Sequence, residues 1–347
     1  MMKVGDRQIL VPATDEYPRN MGADIIGLDD GATLLVFSQW IGATHDTDSS
    51  RVCGMLSEDG GESWSSPFEI ANPTEDYNQV RMPGLIRLND GSIGMTLRFK
   101  TSVLDTWVGF MRCDPTSLAV RGRGWSKPVR VSPPPPGRHI HLNNRTIRLS
   151  SGRLLVSIAT SWPWHVENPR AHDSRSWCLL SDDDGTTWRP SDSMLTGPKR
   201  GLMEPYVIEV EPGRLRMFMR TQMNTQYESI SYDDGQTWSD AKSGILVSPE
   251  SPAALRRLPG SDDILIVWNH GEIGNHSKDR NPLNLAISSD GCESWHDELT
   301  LESTPGRAYS YPGVHVPDAL DDNFVYITYY EQSEGRISLI GRNIEIT

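Results

Sequence analysis

The chain has 347 residues, 37% of them hydrophobic and 23% charged, with a net charge of −13. Eleven Trp, ten Tyr and six Phe supply a core, which excludes disorder, and the acidic balance argues against DNA or RNA as partner. No stretch approaches 18 consecutive apolar residues, so no membrane span is expected, and the start Met1-Met2-Lys3-Val4-Gly5-Asp6 lacks an apolar signal core, which predicts a cytoplasmic protein.

Gln8-Ile9-Leu10-Val11 reads as a first strand. A repeated unit follows, in which an apolar strand turns tightly into a second one. Ala23–Leu28 turns at Asp30-Gly31 into Thr33–Phe37, and Met82–Ile86 turns at Asp90-Gly91 into Ile93–Leu97. The pattern recurs around Ser151-Gly152, Pro212-Gly213, Ser261-Asp262 and Asp321-Asp322. Between these units stand copies of the phrase S-x-D-x-G-x-x-W: Ser57–Trp64, Ser181–Trp188, Ser231–Trp238 and Ser288–Trp295, the last with Cys292 in place of Gly. Trp125 falls in the one double-length gap and marks a degenerate copy. Cys53, Cys113, Cys178 and Cys292 show no CxxC spacing and read as buried reduced thiols.

Six copies of about four strands predict an all-β, six-bladed β-propeller over residues 1–347 as a single domain, with antiparallel blades and scarce helix. The sixth copy ends at Ile337–Ile340 with little chain left for its outer strand, so the N-terminal strand is expected to close the ring.

In such a ring the S-x-D-x-G-x-x-W turns lie on one face. A central site on the other must use the start of each first strand, the end of the second, or the loop into the third. This rule selects Arg81 and Arg98; His139, His141, Asn143 and Asn144; Glu204 and Arg220; Asn269, His270 and Arg280; Tyr309, Tyr311 and Glu331; and His45, Asp46 and Asp48.

The repeated phrase resembles the Asp-box (BNR) repeats of the sialidase superfamily. In those boxes Asp, Ser, Gly and Trp build the turn, and no box residue is expected to be catalytic. The resemblance implies an exo-sialidase type of glycoside hydrolase that releases a terminal acidic sugar with retention. It implies Tyr311 as nucleophile, Glu204 as its activating base and Asp46 as acid/base, with Arg220 and Arg280 among the carboxylate-binding residues. A neutral phenol suits a reacting carbon that bears a carboxylate, which would repel an anionic nucleophile. Arg grips such a carboxylate in a bidentate fork. The family's first Arg has no counterpart at Met21-Gly22-Ala23; Arg19 stands two residues early, and Arg81 stands in an R-x-P phrase one blade later. Tyr309 remains an alternative to Tyr311, and Asp48 or His45 to Asp46.

His141, Asn144, Asn269, His270 and Tyr309 are further expected substrate contacts. No cofactor is called for, and no diagnostic metal spacing is present. The expected partner is a small acidic saccharide or glycan terminus. Two alternatives stand beside this reading: a lyase or hydrolase of a uronate using Tyr311 with His141 or His270, and a non-catalytic glycan-binding propeller.

Overall fold

Most apolar runs of the sequence are β-strands in the computed structural model, which describes residues 2–102, 105–122, 124–134, 137–163, 172–271, 280–316 and 324–346. After β1 (Met2–Val11), the first antiparallel meander comprises β2 (Arg19–Gly27), β3 (Thr33–Trp40), β4 (Ser50–Ser57) and β5 (Phe68–Ala71). The second is β6 (Gln79–Arg87), β7 (Ile93–Ser102), β8 (Asp105–Cys113) and β9 (Val129–Arg130), with a short helix α1 (Ser117–Arg121) before β9. In the third, β10 (Gly137–Ile140) and β11 (Thr146–Arg148) share one partner, β12 (Leu154–Pro163), which continues to β13 (His172–Ser181) and β14 (Arg189–Pro190). The fourth is β15 (Met203–Glu211), β16 (Arg214–Arg220), β17 (Thr225–Ser231) and β18 (Lys242–Val247). The fifth is β19 (Ala254–Arg257), β20 (Ile264–Trp268), β21 (Leu283–Ser288) and β22 (His296–Glu302). The last is β23 (Ala308–His315), β24 (Phe324–Ser333) and β25 (Arg336–Ile346), and β1 pairs antiparallel with β25 from Met2↔Ile346 to Val11↔Leu339. The Asp321-Asp322 turn lies outside the described residues.

The repeated phrase is a hydrogen-bonded turn of one design. In the first copy Ser57 Oγ donates to Asp59 Oδ1 at 2.7 Å and accepts from Gly61 N at 2.8 Å. Asp59 Oδ1 also accepts from Ser63 N at 2.9 Å. The same bonds recur at Ser181/Asp183, Ser231/Asp233 and Ser288/Asp290. Cys292 keeps the left-handed backbone of the Gly it replaces (φ 69°), at a typical cost of about 1–2 kcal/mol. In place of a fifth copy, Trp125 donates from Nε1 to the carbonyl of Val120 in α1 at 3.3 Å. All four cysteines are free and buried, and burial raises each thiol pKa.

Apolar clusters fill the spaces between successive meanders: Val36, Leu56, Met95 and Phe99 join the first to the second, and Tyr206, Leu265, Tyr309 and Tyr329 join the fourth to the sixth. First strands pack side by side from β15 through β19, β23, β2 and β6 to β11, and β12 of the third meander lies against β15 of the fourth. At their centre is a buried polar network. Asp24 Oδ1 accepts from Ile25 N (2.8 Å) and Asn144 Nδ2 (2.9 Å) and faces His315 Nδ1 (3.1 Å), while Oδ2 accepts from Leu85 N (2.7 Å). Tyr206 OH donates to Asn144 Oδ1 at 3.1 Å. His141 Nε2 lies 3.0 Å from Thr96 Oγ1.

Burial favours the neutral form of His139, His141 and His315 and lowers all three pKa values, that of His141 to about 3. Unfolding lets each imidazole take a proton at about pH 6.5, so below that pH the unfolded chain binds more protons. Stability should therefore fall on acidification from pH 6.5, by up to about 1.4 kcal/mol per pH unit for each such histidine. Urea unfolding at pH 7, 6 and 5 tests this: His141→Gln should flatten the slope relative to the wild type, and equal slopes would refute the assignment.

Candidate active site

Where the first strands open into solvent, the same backbone irregularity recurs. Register shifts separate Met21 from Asp24, Arg81 from Gly84, Met203 from Tyr206 and Ser310 from Gly313. Inside each shift one residue is left-handed: Gly22 (φ 65°), Met82 (60°), Glu204 (44°) and Tyr311 (52°). Asn144 (φ 56°) occupies the corresponding place between β10 and β11. Such bulges re-aim a side chain, and here they bring Glu204 and Tyr311 together. Tyr309 is buried and packs edge-on against Tyr329, with ring centroids 6.2 Å apart, whereas Tyr311 within the bulge meets the cavity.

That cavity measures about 950 Å³ and is walled by Arg19, Asp46, Arg81, Arg98, Arg138, Arg200, Glu204, Arg220, Glu250, Arg280, Tyr311 and Tyr330, among others. Tyr311 OH donates to Glu204 Oε1 at 3.0 Å, and Arg220 Nη1 donates to Glu204 Oε2 at 2.5 Å. Arg220 Nη2 turns to Glu250 Oε1 at 3.0 Å, an oxygen shared with Arg200 at 2.7 Å. Arg280 donates to Tyr330 OH at 2.7 Å and lies 5.2 Å from the Tyr311 ring centroid. Across the cavity, Arg19 Nη1 is 2.9 Å from Asp46 Oδ1 and Arg81 Nη1 is 3.8 Å from it. Both guanidiniums lie over the Trp40 ring.

The electrostatics divide labour between these groups. Burial pushes the Glu204 carboxyl upward, but Arg220, Arg280 and the Tyr311 hydrogen bond outweigh it and hold the pKa below its ordinary value. Burial and the Glu204 charge raise the Tyr311 phenol above its ordinary value, against Arg280 and Arg220. At neutral pH the pair is thus a carboxylate accepting from an intact phenol. Desolvation also raises Asp46, yet Arg19, Arg81 and Arg98 bring it down to about 2.

Seven of the residues selected from sequence line one cavity: Tyr311, Glu204, Asp46, Arg81, Arg98, Arg220 and Arg280, with Arg19 beside them. Five expected contacts lie elsewhere. His141 and Asn144 belong to the buried network beneath the floor. Asn269 is fully buried and donates to the carbonyls of Pro282 and Tyr309, both at 3.0 Å. His270 stacks on Trp268 and pairs with Glu298 of the outer strand β22 at 2.5 Å. Tyr309 is interior, as described. Of the remaining topological choices, His139 contacts Thr160 (2.8 Å), Asn143 donates to the Ala23 carbonyl (3.0 Å), and Glu331 pairs with Arg7 (2.7 Å). His45 and Asp48 are joined within their own loop, His45 N donating to Asp48 Oδ2 at 2.7 Å. Arg138, Arg200 and Glu250 were not singled out from sequence. They sit in or at the ends of the links between meanders, which open on the same face as the cavity, so that topology was the signal for them. Among the described residues, no three His, Cys, Asp or Glu side chains group as a metal site requires.

Residues 38–320 match the BNR repeat-like domain family. The chain belongs to that family. Solved structures share its fold across the whole length. A Dyadobacter fermentans protein of unknown function is 18% identical, with a TM-score of 0.76 over 100% of this chain and 99% of that one. The NanB sialidase from Streptococcus pneumoniae is 13% identical, with a TM-score of 0.74 over 98% of this chain and 70% of its own. Trypanosoma rangeli sialidase, solved as a covalent intermediate with 2,3-difluorosialic acid, is 15% identical, with a TM-score of 0.76 over 98% of this chain and 58% of its own. No curated protein matches the sequence. The BNR repeat-like chain thus has the fold of sialidases at low identity.

Neutralising Glu204 while Arg220 and Arg280 remain should bring the Tyr311 pKa down. Ultraviolet difference titration of Glu204→Gln and of the wild type, each against its own Tyr311→Phe partner, should show the Tyr311 transition earlier in the variant; a later or unmoved transition would contradict the described electrostatics.

Proposed function

We propose that this protein is a retaining glycoside hydrolase of sialidase type, acting on a glycoside with a carboxylate at or beside its anomeric carbon. Its six meanders would act as the blades of a six-bladed propeller closed by β1. The observation that carries the reading is the Tyr311 hydroxyl donating to Glu204 at 3.0 Å inside a cavity walled by arginines. Arg220 and Arg280, with Arg19 or Arg81, bind the substrate carboxylate. The Tyr311 oxygen attacks the anomeric carbon as its proton passes to Glu204 Oε1, and the bond to the leaving oxygen breaks as Asp46 protonates that oxygen. In the second half Asp46 takes a proton from water. The water oxygen bonds to the anomeric carbon, the bond to Tyr311 breaks, and Glu204 returns the proton to the phenolate. Two inversions give net retention.

The covalent intermediate known for the T. rangeli sialidase supports the two-step course by analogy of fold. The uronate-lyase alternative called for His141 or His270, and neither reaches the cavity.

The test is hydrolysis of 4-methylumbelliferyl α-sialoside and a panel of other acidic-sugar aryl glycosides, with product configuration read by NMR. The wild type should turn over at least one of them with retention, and Tyr311→Phe and Glu204→Gln should each lose about 10³-fold or more in kcat/KM while remaining folded. No turnover of any by folded wild type, or an inverted product, would sink the proposal.

Asp46→Asn should hurt most where the leaving group needs a proton. Its kcat should fall about 10²–10⁴-fold for an alkyl or sugar leaving group and far less for an activated nitrophenyl one. Equal losses on both would remove Asp46 from the acid role.

A further inference from the structure

Seven arginines line the cavity against three carboxylates, an excess of four positive charges. Five of the seven have roles already described: Arg19 and Arg81 hold Asp46, Arg200 and Arg220 flank Glu250, and Arg280 lies over Tyr311. Of the other two, Arg98 acts on Asp46 only through its charge, and Arg138 has no described role. Neither forms an ion pair among the described residues, and the Nε of each is buried without a hydrogen-bond partner.

Strand register explains why they converge. Arg98 of β7 is opposite Val108 of β8, and two residues back along β8 Thr106 is opposite Arg138 of β10. Residues opposite one another, and residues two apart, share a face of a sheet. Arg98, Thr106 and Arg138 therefore stand on one face across three adjacent strands, and all three line the cavity. Lys100, opposite Thr106 on β7, adds a further cation on that face; it is 7% exposed and forms no ion pair among the described residues. Burial lowers the pKa of Arg98 to about 10 and depresses those of Arg138 and Lys100; the Asp46 charge opposes each shift and neighbouring arginines add to it.

Buried charges in folded proteins are normally paired, because an uncompensated one forfeits hydration without recompense. A cluster of cations facing a cavity with no acid in ion-pair contact, the nearby Asp46 being held by Arg19 and Arg81, fits a ligand that brings an anion. This cluster belongs to the second and third meanders, whereas Arg280 and Tyr311 belong to the fifth and sixth, on the far side of the packing order. Arg81, opposite Arg98 on β6, is already turned to Asp46, which leaves Arg98 and Arg138 as a separate pair on that side. The cavity volume is near the upper end for small-molecule sites and admits more than a single sugar.

We infer that Arg98 and Arg138, backed by Lys100, form a second anion subsite, so that the substrate carries a second oxyanion apart from the carboxylate at its reacting carbon. The word substrate rests on the glycosidase reading; the anion subsite itself does not. Carboxylate, sulfate and phosphate share the chemistry that the two forks recognise.

The full-length protein crystallised with selenate gives a direct test, since anomalous scattering locates the ion. Selenate should lie between Arg98 and Arg138 in the wild type and be missing there in Arg98→Gln/Arg138→Gln. In solution, calorimetric titration with an acidic disaccharide and its sulfated and dicarboxylate forms should show one two-anion form binding at least fivefold tighter than the one-anion form. Which form does so assigns the second group. That preference should collapse in Arg98→Gln/Arg138→Gln and persist in Arg280→Gln, where both ligands lose affinity together. No selenate between the two arginines, or a preference below fivefold or unchanged in the double variant, overturns the subsite. Selenate bound there without hydrolysis of any acidic glycoside would retain the subsite and defeat the glycosidase reading, whereas hydrolysis without selenate at Arg98 and Arg138 would do the reverse.

Discussion

Glu204 divides its two oxygens between partners of opposite kind. Oε2 accepts from the Arg220 guanidinium and Oε1 accepts from the Tyr311 phenol. A carboxylate this deeply buried would ordinarily hold its proton, and then it could take none from Tyr311. Arg220 prevents that, and Glu250 with Arg200 continues the line on its other side, so each buried charge meets an opposite one. Removing one member of such a line leaves its neighbour buried and unpaired, which typically costs about 3–5 kcal/mol. The hydrogen-bond acceptor of the tyrosine is therefore inseparable from the packing of the fourth meander.

The line reaches Tyr311 only because the backbone is bent at its start. Left-handed residues at Glu204 and Tyr311 each carry a conformational cost of about 1–2 kcal/mol, and the corresponding turn at Gly22, Met82 and Asn144 shows that the distortion belongs to the architecture before it belongs to the chemistry. Proline follows directly at Pro83, Pro205 and Pro312 and disfavours the right-handed helical region for the residue before it. In the fifth meander Pro252 itself stands at this position, two residues before the first paired residue Ala254, and its ring excludes a positive φ. Two of the repeated bulges carry the side chains of the hydrogen-bonded pair Tyr311 and Glu204; the others support the floor.

The repeats were legible because a hydrogen-bonded turn demands particular residue types at fixed offsets, and even Cys292 obeys the geometry of the Gly it replaces. The Tyr311, Glu204 and Arg220 set was legible because strand ends must open on one face. The polar residues near the centre misled for a physical reason. His141, Asn144 and Asn269 occupy the same central zone as the cavity residues but lie below its floor, where they bond to backbone carbonyls, to Thr96, to Asp24 and to Tyr206. Sequence position gives the distance along a strand and not which side of a bulge the side chain takes, and Tyr309 against Tyr311 turns on that one difference. Arg138, Arg200 and Glu250 escaped notice because they sit in or beside links between meanders, where no periodicity marks them.

The charge distribution ties the site to the rest of the molecule. A chain of net charge −13 concentrates an excess of four positive charges in one cavity, so the field there opposes that of the surface and draws anions inward. The same field poses a difficulty for acid catalysis. With Arg19, Arg81 and Arg98 around it, the Asp46 carboxyl is brought down to about 2 and is ionised at any physiological pH. On the proposed mechanism it must hold a proton when the leaving oxygen departs. An anionic substrate supplies the remedy: its own charge neutralises the arginines that depress Asp46, and it displaces the water that stabilises the carboxylate, both of which raise the pKa. On that mechanism the arginines would do more than hold the ligand, because their neutralisation would arm the acid only when an anion is present. A neutral sugar of the same shape would leave Asp46 charged and the leaving group without its proton.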